Sequence, residues 1–133
     1  MRAFLDSNIL AYAFGIDPRS ATAFKLVEDG GVISTQSLNE LANVPRRKHR
    51  LAWDDVRRAV RDVIVRCPAI ITLTVDLHHL GLRLADRYTL SVYDGMIAAA
   101  AVIGGCDTLY SEDMHHGLVI DGRVRILDPF APV

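Results

Sequence analysis

The stretch "RAFLDSNIL", residues 2–10, decides the fold, because an apolar run that belongs in a core ends on an acid. That acid is Asp6, and two further polar residues, Ser7 and Asn8, follow it at once. An isolated carboxylate at the edge of a core is costly unless it is paired, hydrogen-bonded or bound to a cation. The stretch therefore predicts a short β-strand that ends at a polar site, with a helix opening directly after it.

The composition fits one compact domain over residues 1–133, since half of the residues are apolar. Lys and Arg number 15 against 16 Asp and Glu, so the overall charge indicates no preference for nucleic acid, membranes or acidic partners. Cys67 and Cys106 lack the C-x-x-C spacing of a zinc site, which suits a reducing cytosol. The longest apolar run, residues 96–103, is too short to span a bilayer. We expect a soluble cytoplasmic protein with no membrane partner.

Outward from the first strand, short apolar runs alternate with helical patterns. Strands are predicted at residues 2–5, 31–35, 69–75 and 108–111, followed by two β segments within 118–127 around an Asp121-Gly122 turn. Helices are predicted within residues 21–29, 37–44 (ending before Pro45), 53–67, 76–88 and 91–103. Strands separated by helices predict a three-layer α/β/α sandwich with a mostly parallel central sheet.

Four acids fall where strands of this sheet give way to helices or loops. Asp6 ends the first strand, Glu40 and Asp94 each lie in the predicted first turn of a helix, and Asp113 follows "TLYS". Ligands collect at the carboxyl ends of parallel strands, so we expect these side chains to converge. Converging carboxylates raise one another's pKa, and a hard divalent cation such as Mg²⁺ or Mn²⁺ relieves that repulsion. The pattern favours a metal site for phosphate-ester chemistry.

Each acid also has a purely structural explanation. Ser37-x-x-Glu40 and Ser91-x-x-Asp94 both match the capping box, in which the acid reaches back to the start of its own helix. Asp6 suits an N-cap, and Asp113 suits a turn. Taken singly, Glu40 and Asp94 are better explained as caps, and for Asp6 and Asp113 a structural role is an equal alternative. It is the shared edge of the sheet that favours a site.

Four motifs resemble those of the PIN-domain nucleases, particularly the VapC-type toxins of toxin–antitoxin pairs. They are "FLDSNILAY" at the start, "SLNEL" near residue 40, "YDGMIAAAA" near residue 94 and "LYSEDM" near residue 113. The resemblance covers nearly the whole chain and implies an endoribonuclease that depends on Mg²⁺ or Mn²⁺. It also implies that the catalytic and metal-binding residues are Asp6, Glu40, Asp94 and Asp113.

The last motif of this resemblance reads Ser111-Glu112-Asp113, which makes Glu112 a second candidate for the fourth acid. Ser7, Asn8 and Ser111 carry neutral oxygens that can hold the ligands in orientation, although a cap or turn role suits Asn8 equally. Gly95 stands where many relatives have alanine, and we expect it to loosen the start of its helix slightly.

The basic residues are concentrated in one part of the chain. Between residues 46 and 66 there are eight Lys or Arg against three acids. The first of them follow the helix of Glu40 and are candidates for tracking an RNA backbone: Arg46, Arg47, Lys48 and Arg50. A solvated helix face explains the run equally well.

The resemblance also implies partners. They are an RNA substrate, a second copy of the chain, and a small antitoxin whose tail covers the acidic pocket, with an arginine paired to the carboxylates. Segments 23–29 and 37–66 are the candidate dimer surfaces. The alternatives are a PIN-like module that binds RNA or protein without turnover, and a nuclease acting on DNA. A signalling receiver domain fits poorly, because no adjacent acidic pair lies early in the chain and no lysine lies near a late strand.

Overall fold

The computed structural model describes residues 2–48 and 50–132, with the backbone alone described for residues 45–48. Twelve elements follow in the βα order predicted above. They are β1 (Ala3–Leu5), α1 (Ser7–Ala13), α2 (Ser20–Glu28), β2 (Ile33–Ser34), α3 (Thr35–Lys48), α4 (Trp53–Arg66), β3 (Ile70–Ile71), α5 (Val75–Tyr88), α6 (Val92–Ile103), β4 (Thr108–Tyr110), β5 (Val119–Ile120) and β6 (Val124–Leu127).

The central sheet is mostly parallel, as predicted. Strands β1, β4 and β6 lie side by side in parallel, and β5 adds an antiparallel edge. Strand β2 pairs in parallel with β3, and a parallel bridge between Phe4 and Val32 joins this pair to β1. The hairpin between β5 and β6 turns at Asp121 and Gly122, which have φ angles of 50° and 66°, as a type I′ turn requires.

Helices cover both faces of the sheet, which confirms the three-layer sandwich. Successive residues of a strand point to opposite faces, so Phe4 and Leu5 are both fully buried but in different clusters. Phe4 packs with residues of α5 and α6, including Leu84, while Leu5 packs with residues of α1, α2 and α4, including Val63. Strand β1 is therefore in the middle of the fold, and its carboxyl end lies between the layers.

Helix α3 differs from the prediction at both ends. It begins at Thr35 because Ser34 and Ser37 cap each other: the Ser37 N–H donates to Ser34 Oγ (3.2 Å), and the Ser34 N–H donates to Ser37 Oγ (3.3 Å). Glu40 therefore lies in the second turn, and its predicted place in the first turn and in a capping box is wrong. The helix also continues to Lys48, since Pro45 removes only one backbone donor near its end.

Strand β3 is much shorter than the predicted run over residues 69–75. Only Ile70 and Ile71 pair with β2. The N–H of Leu73 donates to Thr35 Oγ1 (3.1 Å), and Thr74 is the N-cap of α5, accepting from the Leu77 N–H (3.1 Å). Side-chain hydrogen bonds thus replace those of the strand ladder from Leu73, two residues after the strand ends.

Within residues 2–48 and 50–132, no helix has both the length and the apolar character needed to cross a membrane. Both cysteines are free and buried, in different core clusters.

Candidate active site

Asp6 lies at the carboxyl end of β1, at the N-cap of α1. Its Oδ1 accepts from the Ser7 N–H (2.7 Å), and its Oδ2 accepts from the Ser111 hydroxyl (2.8 Å). Ser111 is adjacent because β1 and β4 are paired in register, with Leu5 opposite Tyr110. Burial raises the pKa of Asp6 to about 6; these two hydrogen bonds oppose the rise, and the charges of Glu40 and Asp94 add to it. Asp6 is thus both a helix cap and a buried acid facing other acids.

Glu40 is held by two side chains, one on α1 and one in the first turn of its own helix, and not by a backbone N–H. One carboxylate oxygen accepts from the Ser7 hydroxyl (2.5 Å), and the other accepts from Gln36 Nε2 (2.9 Å). Ser7 therefore contacts both Asp6, through its backbone N–H, and Glu40, through its hydroxyl. This places the carboxylate of Glu40 beside the end of β1.

Asp94 lies in the first turn of α6, as predicted, where Ser91 is the N-cap. The Asp94 N–H donates to Ser91 Oγ (3.1 Å), so the backbone part of the predicted cap is present. Burial raises the pKa of Asp94; the hydrogen bond to Ser91 opposes this, while the charges of Asp113 and Glu40 raise the pKa further. Asp94 therefore takes part in the cap of α6 and also lies near other acids, so the two interpretations do not exclude each other.

Asp113 reaches the same region through Asn8. The Asn8 side-chain amide donates to Asp113 Oδ2 (3.2 Å) and lies 3.4 Å from Ser111 Oγ and 3.5 Å from Asp6 Oδ2. The Asn8 oxygen accepts the Glu112 N–H (3.3 Å). One amide on α1 thereby connects the end of β1 to the loop after β4.

The side chain of Glu112 turns to other partners. It accepts from Arg19 Nη1 (2.6 Å) and from the Tyr12 hydroxyl (2.6 Å). Of the two candidates for the fourth acid, Asp113 is the one that lies with Asn8 and the other carboxylates. Arg19 and Gln36 are site residues that the sequence analysis missed; the i, i+4 spacing of Gln36 and Glu40 on one helix is a usable signal, and Arg19 carries none.

A cavity of about 450 Å³ opens at this edge of the sheet. Its lining includes Ser7, Asn8, Tyr12, Glu40 and Asp113. The four acids named from the sequence therefore share one region, with Glu40 and Asp113 on the cavity wall and Asp6 and Asp94 interacting with them.

The donor chemistry of the cluster fits a hard divalent cation. Among the described residues, every ionised group that shifts the pKa of Asp6 or Asp94 is another carboxylate. A cation with oxygen ligands removes that repulsion. Among residues 2–48 and 50–132, no group of three or more acid, histidine or cysteine side chains is placed to hold a metal ion, and Mg²⁺ is commonly bound by one or two carboxylates and several waters.

The predicted RNA-contacting residues lie at and beyond the end of α3. The backbones of Arg46, Arg47 and Lys48 form the last turn of that helix, and their side chains lie outside the described residues. Arg50 is exposed and has a positive φ of 51°.

Gly95, beside Asp94, lies where α6 packs against α5. A Cβ at this position would lie 2.4 Å from the carbonyl oxygen of Gly81 on α5. Glycine at residue 95 therefore allows α5 and α6 to approach closely at the point where Asp94 is held.

A Ser111→Ala variant is expected to raise the pKa of Asp6 above its value of about 6, because the lost hydroxyl donates to the ionised carboxylate. NMR titration of the aspartate side-chain carbons measures this. Ser91→Ala is the matched control, since it removes a serine hydroxyl that acts on Asp94 instead. An Asp6 pKa that is the same in Ser111→Ala and in the wild type would contradict the assignment.

The fold and the acidic edge define a class: a small α/β/α domain with carboxylates gathered at the carboxyl ends of parallel strands. The family model of the PIN domain matches residues 3–117. The chain belongs to the PIN domain family, which confirms the family predicted from its motifs. No curated protein matches the sequence.

Several solved structures share the fold at low sequence identity. A toxin–antitoxin complex from Klebsiella pneumoniae contains a chain with a TM-score of 0.72 and 20% identity, covering 96% of this chain and 98% of that one. VapBC2 from Rickettsia felis, bound to a DNA fragment from its promoter, contains a chain with a TM-score of 0.68 and 18% identity. The match covers 96% of this chain and 100% of that one. VapC20 from Mycobacterium tuberculosis, a toxin that cleaves the sarcin–ricin loop, has a TM-score of 0.62 and 20% identity. The match covers 84% of this chain and 89% of that one.

Proposed function

We propose that residues 1–133 form a single metal-dependent endoribonuclease domain, the toxin of a cytoplasmic toxin–antitoxin pair. The observation that carries the proposal is the convergence of four acids from separate elements at the carboxyl edge of the sheet: Asp6, Glu40, Asp94 and Asp113. Membership of the PIN domain family and the likeness of the fold to VapC20 support the same activity.

Asp6 and Asp94 are the direct ligands of Mg²⁺ or Mn²⁺ in this proposal, with Glu40 and Asp113 completing the acidic wall. When bound, the ion supplies Lewis-acid stabilisation of a phosphodiester and a more acidic bound water. Residues of the chain hold these carboxylates in position. The Ser7 N–H and the Ser111 hydroxyl hold one oxygen each of Asp6, and Asn8 holds Asp113.

Glu40 is the residue that orients the attacking water or accepts its proton. Ser7 and Gln36 fix its two oxygens by hydrogen bonds, which limits the rotation of a long side chain. A carboxylate held in one geometry loses less entropy when the reaction begins.

The substrate in this proposal is RNA, bound along the carboxyl end of α3. From Glu40 to Lys48 that helix rises about 12 Å, so its last turn lies beyond the acidic cluster. Arg46, Arg47, Lys48 and Arg50 would neutralise phosphates flanking the scissile bond.

The proposed protein partners are a cognate antitoxin and a second copy of the chain. The Klebsiella and Rickettsia structures are toxin–antitoxin assemblies. An antitoxin arginine would pair with the carboxylates in the cavity, since its planar fork suits two oxygens. Segments 23–29 and 37–66 are the proposed dimer surfaces.

An Asp94→Asn variant is expected to cut structured RNA at least about a hundredfold more slowly than the wild type, because it loses a charged ligand. The assay uses purified protein with Mg²⁺, Mn²⁺ or a chelator, and a DNA of the same sequence in parallel. Asp86→Asn, at an exposed position on α5, is the matched control and should cleave normally. Cleavage that survives the chelator or the Asp94→Asn change would refute the proposal, and cleavage of DNA alone would favour the DNA nuclease.

A further inference from the structure

Arg19 is held in one place by three neighbours. It directly precedes α2, and its Nε and Nη2 pair with the two carboxylate oxygens of Asp17 at 2.8 and 2.9 Å. Its Nη1 donates to Glu112 at 2.6 Å, and its guanidinium lies 4.1 Å from the centre of the Tyr12 ring. Although the side chain is 39% exposed, these contacts give the guanidinium a defined orientation.

Glu112 is held from two sides. One carboxylate oxygen accepts from Arg19, and the other accepts from the Tyr12 hydroxyl (2.6 Å). The Tyr12 ring packs edge-on against Phe130, with 5.4 Å between ring centres, and this contact fixes the position of the ring that carries the hydroxyl. We call Arg19, Tyr12 and Glu112 the clamp.

The clamp lies one residue from the acidic cluster. Glu112 immediately precedes Asp113, and its N–H donates to Asn8, the same residue that holds Asp113 Oδ2. The loop therefore carries two neighbouring acids in different surroundings. The carboxylate of Glu112 is neutralised by an arginine, and that of Asp113 lies near other carboxylates.

We propose that Arg19 is a positioning residue that withholds Glu112 from the metal site and so sets Asp113 as the fourth acid. This rests on the proposed function only in assuming that the cluster takes a cation. Without Arg19, the Tyr12 hydroxyl alone would hold Glu112, and its carboxylate, no longer neutralised, could turn to a cation beside Asp113. Carboxylate number governs the affinity of oxygen-ligand cation sites, so the released Glu112 would tighten cation binding.

The test compares four proteins by Mn²⁺ titration calorimetry without RNA: wild type, Arg19→Met, Glu112→Gln and the double variant. Methionine keeps an unbranched apolar side chain over Tyr12 while removing the charge. Arg19→Met is expected to bind Mn²⁺ about tenfold more tightly than the wild type. In the double variant the affinity should return to that of Glu112→Gln, because there is no longer a carboxylate to release.

A merely structural role for Arg19 predicts a different pattern. If it only ties α2 to the loop after β4, Arg19→Met and the double variant would change Mn²⁺ affinity equally, and adding Glu112→Gln would not reverse the effect. Arg83→Met breaks a comparable ion pair, with Asp121 (3.0 Å), away from the cluster, and should leave Mn²⁺ affinity unchanged. Thermal melting of each variant confirms that it is folded.

The outcomes separate this inference from the proposed function. Mn²⁺ binding that is the same in all four proteins, whether tight or absent, overturns the role of Arg19. A tightening that Glu112→Gln reverses, together with no RNA cleavage by the wild type, overturns the nuclease proposal and leaves the clamp standing.

Discussion

An Asp6→Asn variant is expected to lose RNA cleavage by about a thousandfold and, without metal, to be more stable than the wild type at neutral pH. The loss of activity follows from removing a charged ligand, since each tenfold in rate is about 1.4 kcal/mol and a bound metal supplies several. The stability gain comes from the same carboxylate. Asparagine never ionises; its one side-chain oxygen can accept from the Ser7 N–H, while its amide N–H donates to the hydroxyl oxygen of Ser111.

The sign of the stability change follows from the pKa of Asp6. It is raised from an ordinary value of 3.8 to about 6 because the carboxylate is buried. The folded chain therefore holds this proton more tightly than the unfolded chain, and stability falls as pH rises from about 4 through 6. At about 1.4 kcal/mol per pKa unit, ionisation of Asp6 costs about 3 kcal/mol above pH 6.

Urea unfolding in the presence of a chelator measures this cost. Between about pH 4 and pH 7 the wild type should lose stability that Asp6→Asn retains. Asp94, whose pKa burial also raises, titrates in both proteins, so the comparison isolates the pH dependence that requires the Asp6 carboxyl. If the two proteins keep a constant stability difference across this range, Asp6 does not ionise at a cost, and the buried acid is only a helix cap.

With Mn²⁺ present, the wild type should be more stable than Asp6→Asn. The ion binds and stabilises the ionised carboxylate of the wild type, whereas the variant has lost this ligand. The same proton competes with the metal, so wild-type Mn²⁺ affinity should fall about tenfold between pH 7 and pH 5. Stabilisation of Asp6→Asn by Mn²⁺ equal to that of the wild type would place the ion elsewhere.

The layers of the fold could be predicted because their signals are local. Helical periodicity, glycine stops and the Asp121-Gly122 turn each depend on a few neighbouring residues. The meeting of Asp6 and Ser111 also follows from a general rule, since parallel neighbouring strands end at the same edge of the sheet.

The orientation of individual side chains could not be predicted in the same way. Glu40 matched a capping box by spacing, yet Ser34 supplies the cap and Glu40 bonds to Ser7, which is 33 residues away. Glu112 and Asp113 are neighbouring acids that the sequence motif does not distinguish. Their roles differ because Glu112 pairs with an arginine that lies 93 residues earlier in the chain. Such long-range contacts leave no periodicity in the sequence.

Gly95 illustrates the same limit and gives the second large effect: Gly95→Ala is expected to destabilise the protein by about 2 kcal/mol. An alanine Cβ would lie 2.4 Å from the Gly81 carbonyl oxygen and 2.9 Å from the Ala85 Cβ. The first of these is backbone, so α5 must move away from α6. Overpacking of this kind typically costs about 1–3 kcal/mol, against a gain of about 1 kcal/mol in helix propensity that alone would make the variant more stable.

Gly81→Ala is the matched control, because it is the same substitution on the opposite side of the same helix contact. Its Cβ would meet the Sδ and Cε atoms of Met96 at 2.6 and 2.9 Å, and that flexible side chain can turn aside. It would also lie 3.3 Å from the backbone carbonyl carbon of Gly95, which requires a shift of only a few tenths of an ångström. Thermal melting should show a fall of about 6 °C for Gly95→Ala and a much smaller change for Gly81→Ala. Because Asp94 directly precedes Gly95, Gly95→Ala should also weaken Mn²⁺ binding. Equal melting temperatures for the two variants would mean that the Gly81 carbonyl yields as easily as a methionine side chain. Unchanged Mn²⁺ binding in Gly95→Ala would mean that the close approach of α5 and α6 has no part in holding Asp94.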